Sequence, residues 1–250
     1  PMLMLVVGPT MSLAPIADHG TDDQKQRWLP AACRGESNFC FAITEATAGT
    51  NSIKINTLAK PHEDRFLLSG SKTFITGADV CDYAIVVART TPHTEVKRKT
   101  DGFTLFVVDL NAKGVERHPV NINLPIPETQ FSIFFDEVDL GLENVIGEVG
   151  KGFDILFDAL NPERILVAAL CCGIGRFALE KAVAYASERE VFDVPIGSHQ
   201  GVQHPLAAAK TQVEMASLMM RQAAWQFDQG LPAGEASNMA KYAGAEAGIQ

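Results

Sequence analysis

Ala42-Ile-Thr-Glu-Ala-Thr-Ala-Gly-Thr-Asn51 is the stretch on which the reading of this chain turns. It follows a short apolar run, Phe39-Cys-Phe41, and crowds the hydroxyls of Thr44, Thr47 and Thr50 around Gly49. A strand opening into such a loop gathers many hydrogen-bond donors in one place, and the backbone N–H groups of a glycine turn hold anions well. The same composition also makes an ordinary threonine-rich turn, so the segment acquires meaning only from its surroundings.

Upstream, residues 1 to 37 read as short helices. Asp22-Asp-Gln-Lys-Gln-Arg27 followed by Trp28-Leu-Pro30 predicts a charged turn of helix closed at the proline. Downstream, from Phe39 to about Val145, the texture is that of strands. Arg65 to Leu68 and Lys72 to Ile75 flank Ser69-Gly70-Ser71, which predicts a hairpin with glycine in its turn. Tyr83 to Arg89, Phe103 to Asp109 and Gln130 to Asp136 are rich in β-branched and aromatic residues, and Gly/Asn/Pro-rich stretches separate them. Hairpin-length links between several strands predict a β-sandwich or barrel.

Beyond Gly147 the periodicity becomes helical. Phe153, Leu156, Phe157 and Leu160 recur at spacings of three and four. Asn161-Pro162-Glu163 reads as N-cap, N1 and N2 of a long helix running to about Arg189. Further helices are expected from about Pro205 to Gln229, ending at Gly230, and from about Ala233 through Gln250. The fold class is therefore α+β: an N-terminal helical segment (1–37), a middle β domain (38–147) and an incomplete C-terminal helical bundle (148–250). A bundle left in mid-helix is expected to continue in sequence beyond this chain.

Composition narrows the function classes. Of 250 residues, 46% are hydrophobic and 20% charged, the usual balance of a globular chain. A formal charge of −9 with scattered Lys and Arg argues against nucleic acid as a partner; the run Lys97-Arg-Lys99 reads as a solvated loop tip. Cys33, Cys40, Cys81, Cys171 and Cys172 make no CxxC spacing, which predicts neither a metal site nor a disulfide framework and points to a reducing compartment. No continuous apolar run reaches the ~18 residues of a membrane helix. P-loop, GxGxxG, HExxH and GxSxG motifs are absent.

Five blocks, in order, carry a resemblance to a known family. Phe41-Ala-Ile-Thr-Glu-x-x-Ala-Gly-Thr50 is similar to the signature of acyl-CoA dehydrogenases, and Gly70-Ser-Lys-Thr-Phe-Ile-Thr-Gly77 resembles that family's Gly-x-Lys-x-Trp/Phe-Ile-Thr segment. Gly147-Glu-x-Gly-x-Gly-Phe153 resembles the entry to its C-terminal helices, and Glu188-Arg-Glu-Val-Phe192 with His199-Gln200 resembles its Glu-Arg-x-x-Phe…Gln block. Asn51 stands where the family usually has Asp, and Ala46-Thr47 replaces the common Pro-Gly.

The resemblance implies an FAD enzyme that removes a proton from Cα and a hydride from Cβ of an acyl-CoA thioester, as in fatty-acid β-oxidation. It puts Phe41, Ile43 and Thr44 against the flavin, with Thr44 on the pyrimidine side. Thr50 would lie near the cofactor and substrate phosphates, and Phe74, Ile75 and Thr76 would cover the other side of the ring, Thr76 toward N5. Arg189, Phe192 and Gln200 would contact the ADP part of FAD in a neighbouring subunit, which implies a homo-oligomer (dimer or tetramer) or a hetero-oligomer with a paralogue. The base is a glutamate found either near the family's C-terminus or at the position of Glu163, whose other reading is an acid stabilising the helix's positive end. Asn161 and Arg164 would meet the CoA moiety, while Met4, Val7 and Met11 would line the acyl tunnel or pack in a core.

An electron-transferring flavoprotein is the expected acceptor, and the bacterial cytoplasm or the mitochondrial matrix the expected compartment. An acyl-CoA oxidase or flavin monooxygenase on the same scaffold, and a non-catalytic subunit of a hetero-oligomer, are the alternative readings. The chain is expected to lack family sequence at both ends.

Overall fold

The structure is a computed structural model that describes residues 2–124 and 126–249, so Gln250, the expected end of the last helix, lies outside the described residues. The chain forms two compact units, Pro1–Leu160 and Asn161–Gln250.

The first unit opens with α1 (Met2–Val6), a π-helical turn (Val7–Leu13) and α2 (Ala14–His19). The turn is widened where the Ala14 N–H reaches back to the Pro9 carbonyl. Helix α3 (Asp22–Cys33) starts on a reciprocal capping box between Thr21 and Gln24. It does not close at Pro30, as the sequence predicts. A proline deletes one backbone bond, whereas the helix stops where Gly35, at φ 72°, takes the left-handed position and Gly35 and Glu36 return their N–H groups to Ala32 and Ala31.

Among the described residues eight strands follow: β1 (Phe39–Ala42), β2 (Leu58–His62), β3 (Arg65–Thr76), β4 (Tyr83–Arg89), β5 (Phe103–Asp109), β6 (Val115–Val120), β7 (Gln130–Gly141) and β8 (Val145–Ile146). They pair in the order β6-β7-β3-β2-β4-β5-β8, with β1 parallel to β4. The unbroken apolar runs of β4 and β5 are explained by burial on both faces. Ala84, Val86, Phe106 and Val108 face a cluster with Phe66, Leu68, Ile133 and Phe135. Ile85, Val87, Leu105 and Val107 face Ile16, Trp28, Ile155 and Leu156. Phe66 meets Phe106 edge to face at 5.4 Å, so the sheet folds over onto itself around the first cluster.

Ser69-Gly70-Ser71 is not a hairpin turn. β3 runs straight through it with a register shift between Leu68 and Gly70 against β7. Gly70 sits at φ 139°, and a Cβ there would lie 2.7 Å from the Thr57 Cα. The glycine therefore serves a bulge and a close backbone approach rather than a reversal. The reversal lies earlier, between β2 and β3, where Glu63 takes φ 53°. Sequence patterning overlooks β2 and β6 because Pro61 and Pro119 interrupt them; β6 is an edge strand, where a missing N–H costs least.

Helix α4 (Gly152–Glu188) is continuous through Pro162, so Asn161 is not an N-cap. A proline within a helix costs about 3 kcal/mol, and the apolar residues on both sides of it are packed, Ile155 and Leu156 before and Ile165 and Ala168 after. A two-stranded ribbon, β9 (Glu190–Val191) and β10 (Val194–Pro195), leads to α5 (Gln200–Asp228) and α6 (Gly234–Ile249). In the second unit α4, α5 and α6 meet over small residues. Ile165 and Ala168 pack with Ala223, Ala236 and Ala240, and Cys172 with Val213, Ala216 and Ala247. A Cβ on Gly244 would come within 3.1 Å of the Ala168 Cα, a measure of how closely α4 and α6 approach.

Candidate functional site

The donor-rich segment leaves the end of β1 and is fastened to β3. The Thr73 N–H donates to the Thr44 carbonyl at 2.9 Å, and Lys72 Nζ donates to the Ile43 carbonyl at 3.0 Å and to Glu45 Oε1 at 2.9 Å. The Glu45 carboxylate also accepts the N–H groups of Asn56 at 2.7 Å and Thr57 at 2.9 Å. Glu45 and Ala48 exchange backbone bonds around the exposed Ala46-Thr47 turn. Thr50, on the same loop, is exposed.

Burial acts on both members of this ion pair. It pushes the Glu45 carboxyl up, but the Lys72 charge and the hydrogen bonds from Asn56, Lys72 and Thr57 outweigh it and leave the pKa below the usual value. It pushes Lys72 down to about 8 against the opposing pull of Glu45. Both residues stand in the blocks that carry the family resemblance, but the sequence does not pair them or give either a role. The available signal is a lysine in an otherwise apolar strand phase, at a position that proves fully buried.

At the far end of β3 the ladder with β7 slips between Lys72 and Ile75. This second bulge throws Phe74 outward, with φ 56° and 56% of its surface exposed. A bulky residue rarely takes the left-handed region, and bulges cluster where a side chain is re-aimed. The Thr73 hydroxyl meets that of Ser132 at 3.0 Å, and Thr76 Oγ1 donates to Gln130 Oε1 at 3.1 Å. Thr44 and Thr76 thus share one corner of the sheet, joined through residues 73 to 76. Phe41 and Ile75 are buried in the two core clusters, so their side chains are occupied by packing. Ile43 is half-buried beside Phe41.

Met4 reaches this corner too. Gly77 has φ 70°, and the Met4 sulfur fills the space where a side chain on Gly77 would begin. Val7 and Met11 pack on the cluster that holds Phe41.

In the second unit, Asn161, Glu163 and Arg164 lie half-buried on α4, and Arg164 Nη1 donates to Asn161 Oδ1 at 3.1 Å. Burial raises the Glu163 pKa, against the lowering pull of Arg164 and Lys241. Because α4 starts at Gly152, Glu163 is about three turns inside the helix, beyond the reach of its N-terminal dipole. Arg189 follows the end of α4, Phe192 tips the β9–β10 ribbon, and Gln200 begins α5. All three are exposed. Phe192 is 88% exposed at φ 56°, followed by Asp193 at φ 60°. Among the described residues no cluster of side chains fits a metal ion, and no helix is long and apolar enough to cross a membrane.

Three family models match the chain in succession: the acyl-CoA dehydrogenase N-terminal domain over residues 1–36, the middle domain over 40–138 and the C-terminal domain over 150–250. Acyl-CoA dehydrogenase FadE12 of Mycobacterium tuberculosis is 44% identical over 248 residues, covering 98% of this chain and 63% of that protein. Subunit CarC of the caffeyl-CoA reductase–Etf complex of Acetobacterium woodii is 33% identical, over 93% of this chain and 60% of its own length. Butyryl-CoA dehydrogenase of Megasphaera elsdenii superposes with a TM-score of 0.91 at 30% identity, covering 98% of this chain and 63% of that one. The chain thus spans about 63% of the curated relative it matches at 44% identity.

Proposed function

This chain belongs to the acyl-CoA dehydrogenase family, an oxidoreductase family that uses FAD, and from that premise we propose that it takes part in α,β-dehydrogenation of an acyl-CoA thioester to the trans-2-enoyl-CoA. The observation that carries the proposal is the corner of the sheet where Thr44, Phe74 and Thr76 converge. There Phe74 is held outward at a strained left-handed φ by the bulge that follows Lys72, beside Thr73, whose N–H bonds the Thr44 carbonyl, and two residues before Thr76. Core packing has no use for such a strained, exposed ring, whereas a planar heteroaromatic cofactor with polar edges has.

The residues present therefore fit an isoalloxazine ring. Thr44 would hold its pyrimidine side, Phe74 its face and Thr76 the N5 edge, with Thr50 near the phosphates, while Ile75, buried in the core, would anchor that stretch of strand from behind. Bound FAD would supply the acceptor for the hydrogen that leaves Cβ with its electron pair. The chain's own part in the chemistry is the proton. Glu163 is proposed to take it from Cα, and the raised pKa of its desolvated carboxyl brings it closer to the basicity needed. A thioester α-carbon is a weak acid, so charge developing on the carbonyl oxygen needs hydrogen-bond donors as it forms. Asn161 and Arg164, tied to each other, would bind the CoA moiety.

Arg189, Phe192 and Gln200 would reach the ADP part of FAD in a neighbouring subunit, which makes the working form an oligomer. An electron-transferring flavoprotein is the proposed acceptor, in keeping with the Etf complex named for the Acetobacterium relative, and fatty-acid β-oxidation the proposed setting. The test is anaerobic titration of FAD-loaded protein with straight-chain, branched and steroid-derived acyl-CoAs. One of them is expected to bleach the flavin absorbance. Protein that binds no FAD, or a bound flavin that no acyl-CoA bleaches, would contradict the proposal.

A further inference from the structure

We infer that Glu45 and Lys72 are the positioning residues of the proposed flavin cradle: their ion pair pins the Ile43–Thr44 segment to β3 and so sets the spacing between the Thr44 hydroxyl and the Phe74 ring. The inference rests on the FAD reading given above and adds to it the part that holds the cradle open at a fixed width.

The geometry is that of a clasp rather than of a core contact. Lys72 is fully buried and Glu45 nearly so. Between them they bond three backbone groups, on two pieces of chain, that no strand ladder secures: the Ile43 carbonyl at 3.0 Å, and the N–H groups of Asn56 at 2.7 Å and Thr57 at 2.9 Å. Lys72 is also the last residue in register with β7 before the bulge that turns Phe74 outward. One end of the clasp therefore ends at Thr44 and the other at the base of Phe74. For stability alone an ion pair is a poor choice, because desolvating two charges offsets most of their attraction, and apolar residues of equal volume often hold a core as well or better. Apolar residues could not, however, bond one carbonyl and two amides at once. The pair is explained by the register it imposes.

A pH dependence follows. Among the described residues, Glu45 is the charged group that acts on Lys72. Folded Lys72 loses its proton at about 8, while an ordinary lysine keeps it to 10.5. Between those values the unfolded chain holds the extra proton, so this group makes the fold more stable as pH rises, not less. The attraction within the clasp is nevertheless lost in that window. Flavin affinity is expected to fall above pH about 8 without unfolding.

The experiment compares the 250-residue chain with Glu45→Gln, Lys72→Met and the double variant. The readouts are FAD binding by fluorescence quenching, the visible circular dichroism of bound flavin, and hydrogen exchange of the Thr73 amide in FAD-free protein. The double variant leaves no unpaired buried charge but leaves the Ile43 carbonyl without its donor and one of the two amides without its acceptor, so it is expected to fold and to melt somewhat below the parent. It should bind FAD roughly tenfold or more weakly, the loss of about one charge-assisted hydrogen bond, with an altered flavin spectrum and faster exchange at Thr73. A double variant with parental FAD affinity, spectrum and exchange would overturn the inference. So would FAD-free parental protein whose Thr73 amide exchanges as fast as an unbonded one, a check that stands even if every variant fails to fold. Parental protein that binds no FAD, while Thr73 exchange still responds to the substitutions, would sink the flavin reading and leave the clasp standing.

Discussion

Gly70 stands inside β3 with the Thr57 backbone against it, 2.7 Å from where its Cβ would be. Gly70→Ala therefore asks either for a backbone shift or for an alanine at φ 139°. The expected loss is about 2–4 kcal/mol, combining overpacking with dihedral strain, to be read as a lower urea midpoint at unchanged slope. Glu163 makes the opposite kind of prediction. Glu163→Gln keeps shape and removes the base, so the fold should survive while flavin bleaching by substrate slows by roughly 10²–10⁴-fold, measured by stopped flow. The base must be ionised to act, so the parental rate should rise with pH through a value above the usual carboxylate range, in the direction of the Glu163 shift. The linked effect on stability has the reverse sign: folded Glu163 holds its proton longer than the unfolded chain, so its contribution fades as pH rises through the same window. At this scale the sequence displayed the threonines, the glycine and the glutamate, but not which of them were buried. Glu45 lies inside the very segment that defines the signature, yet its partner is 27 residues away, and nothing local to either residue announces the pair.

Among the elements, the β9–β10 ribbon is the least explained by packing. Its turn residues Phe192 and Asp193 both have positive φ, where glycine or asparagine is preferred. Phe192→Gly should relieve the strain and stabilise the second unit by about 0.5–1 kcal/mol, seen as a higher melting temperature, while weakening FAD binding in the oligomer. Phe192→Gly protein that retains FAD as the parent does would remove Phe192 from the proposed cofactor site. Elsewhere, element reading succeeded where one physical cause dominates. Doubly buried β4 and β5 were visible as apolar runs, and α6 as a helix starting beside Ala233. It failed at Pro30 and Pro162, because a proline marks a local cost and says nothing of how much remote packing stands against it. Gln24 shows the scale of that packing: besides completing its cap, its side-chain amide donates to the carbonyls of Glu143 at 2.9 Å and Val145 at 2.7 Å.

For the molecule as a whole, a cofactor that binds only the folded chain must stabilise it by mass action. FAD at a hundred times its Kd should add about 2.7 kcal/mol, and the melting temperature should climb with the logarithm of FAD concentration. No shift at saturating FAD would count against the cofactor. Five blocks of residues in family order were enough to read the α+β class and the family from sequence, because helix periodicity, strand composition and short motifs are properties of neighbouring residues. Tertiary structure alone decided that Gly70 is a bulge, that α4 passes through Pro162, and that Lys72 closes on Glu45. Each of those outcomes depends on an atom contributed from far along the chain: a Thr57 backbone carbon, an apolar cluster on either side of a proline, a carboxylate. Local preferences of a few tenths to about 3 kcal/mol are settled by such distant partners.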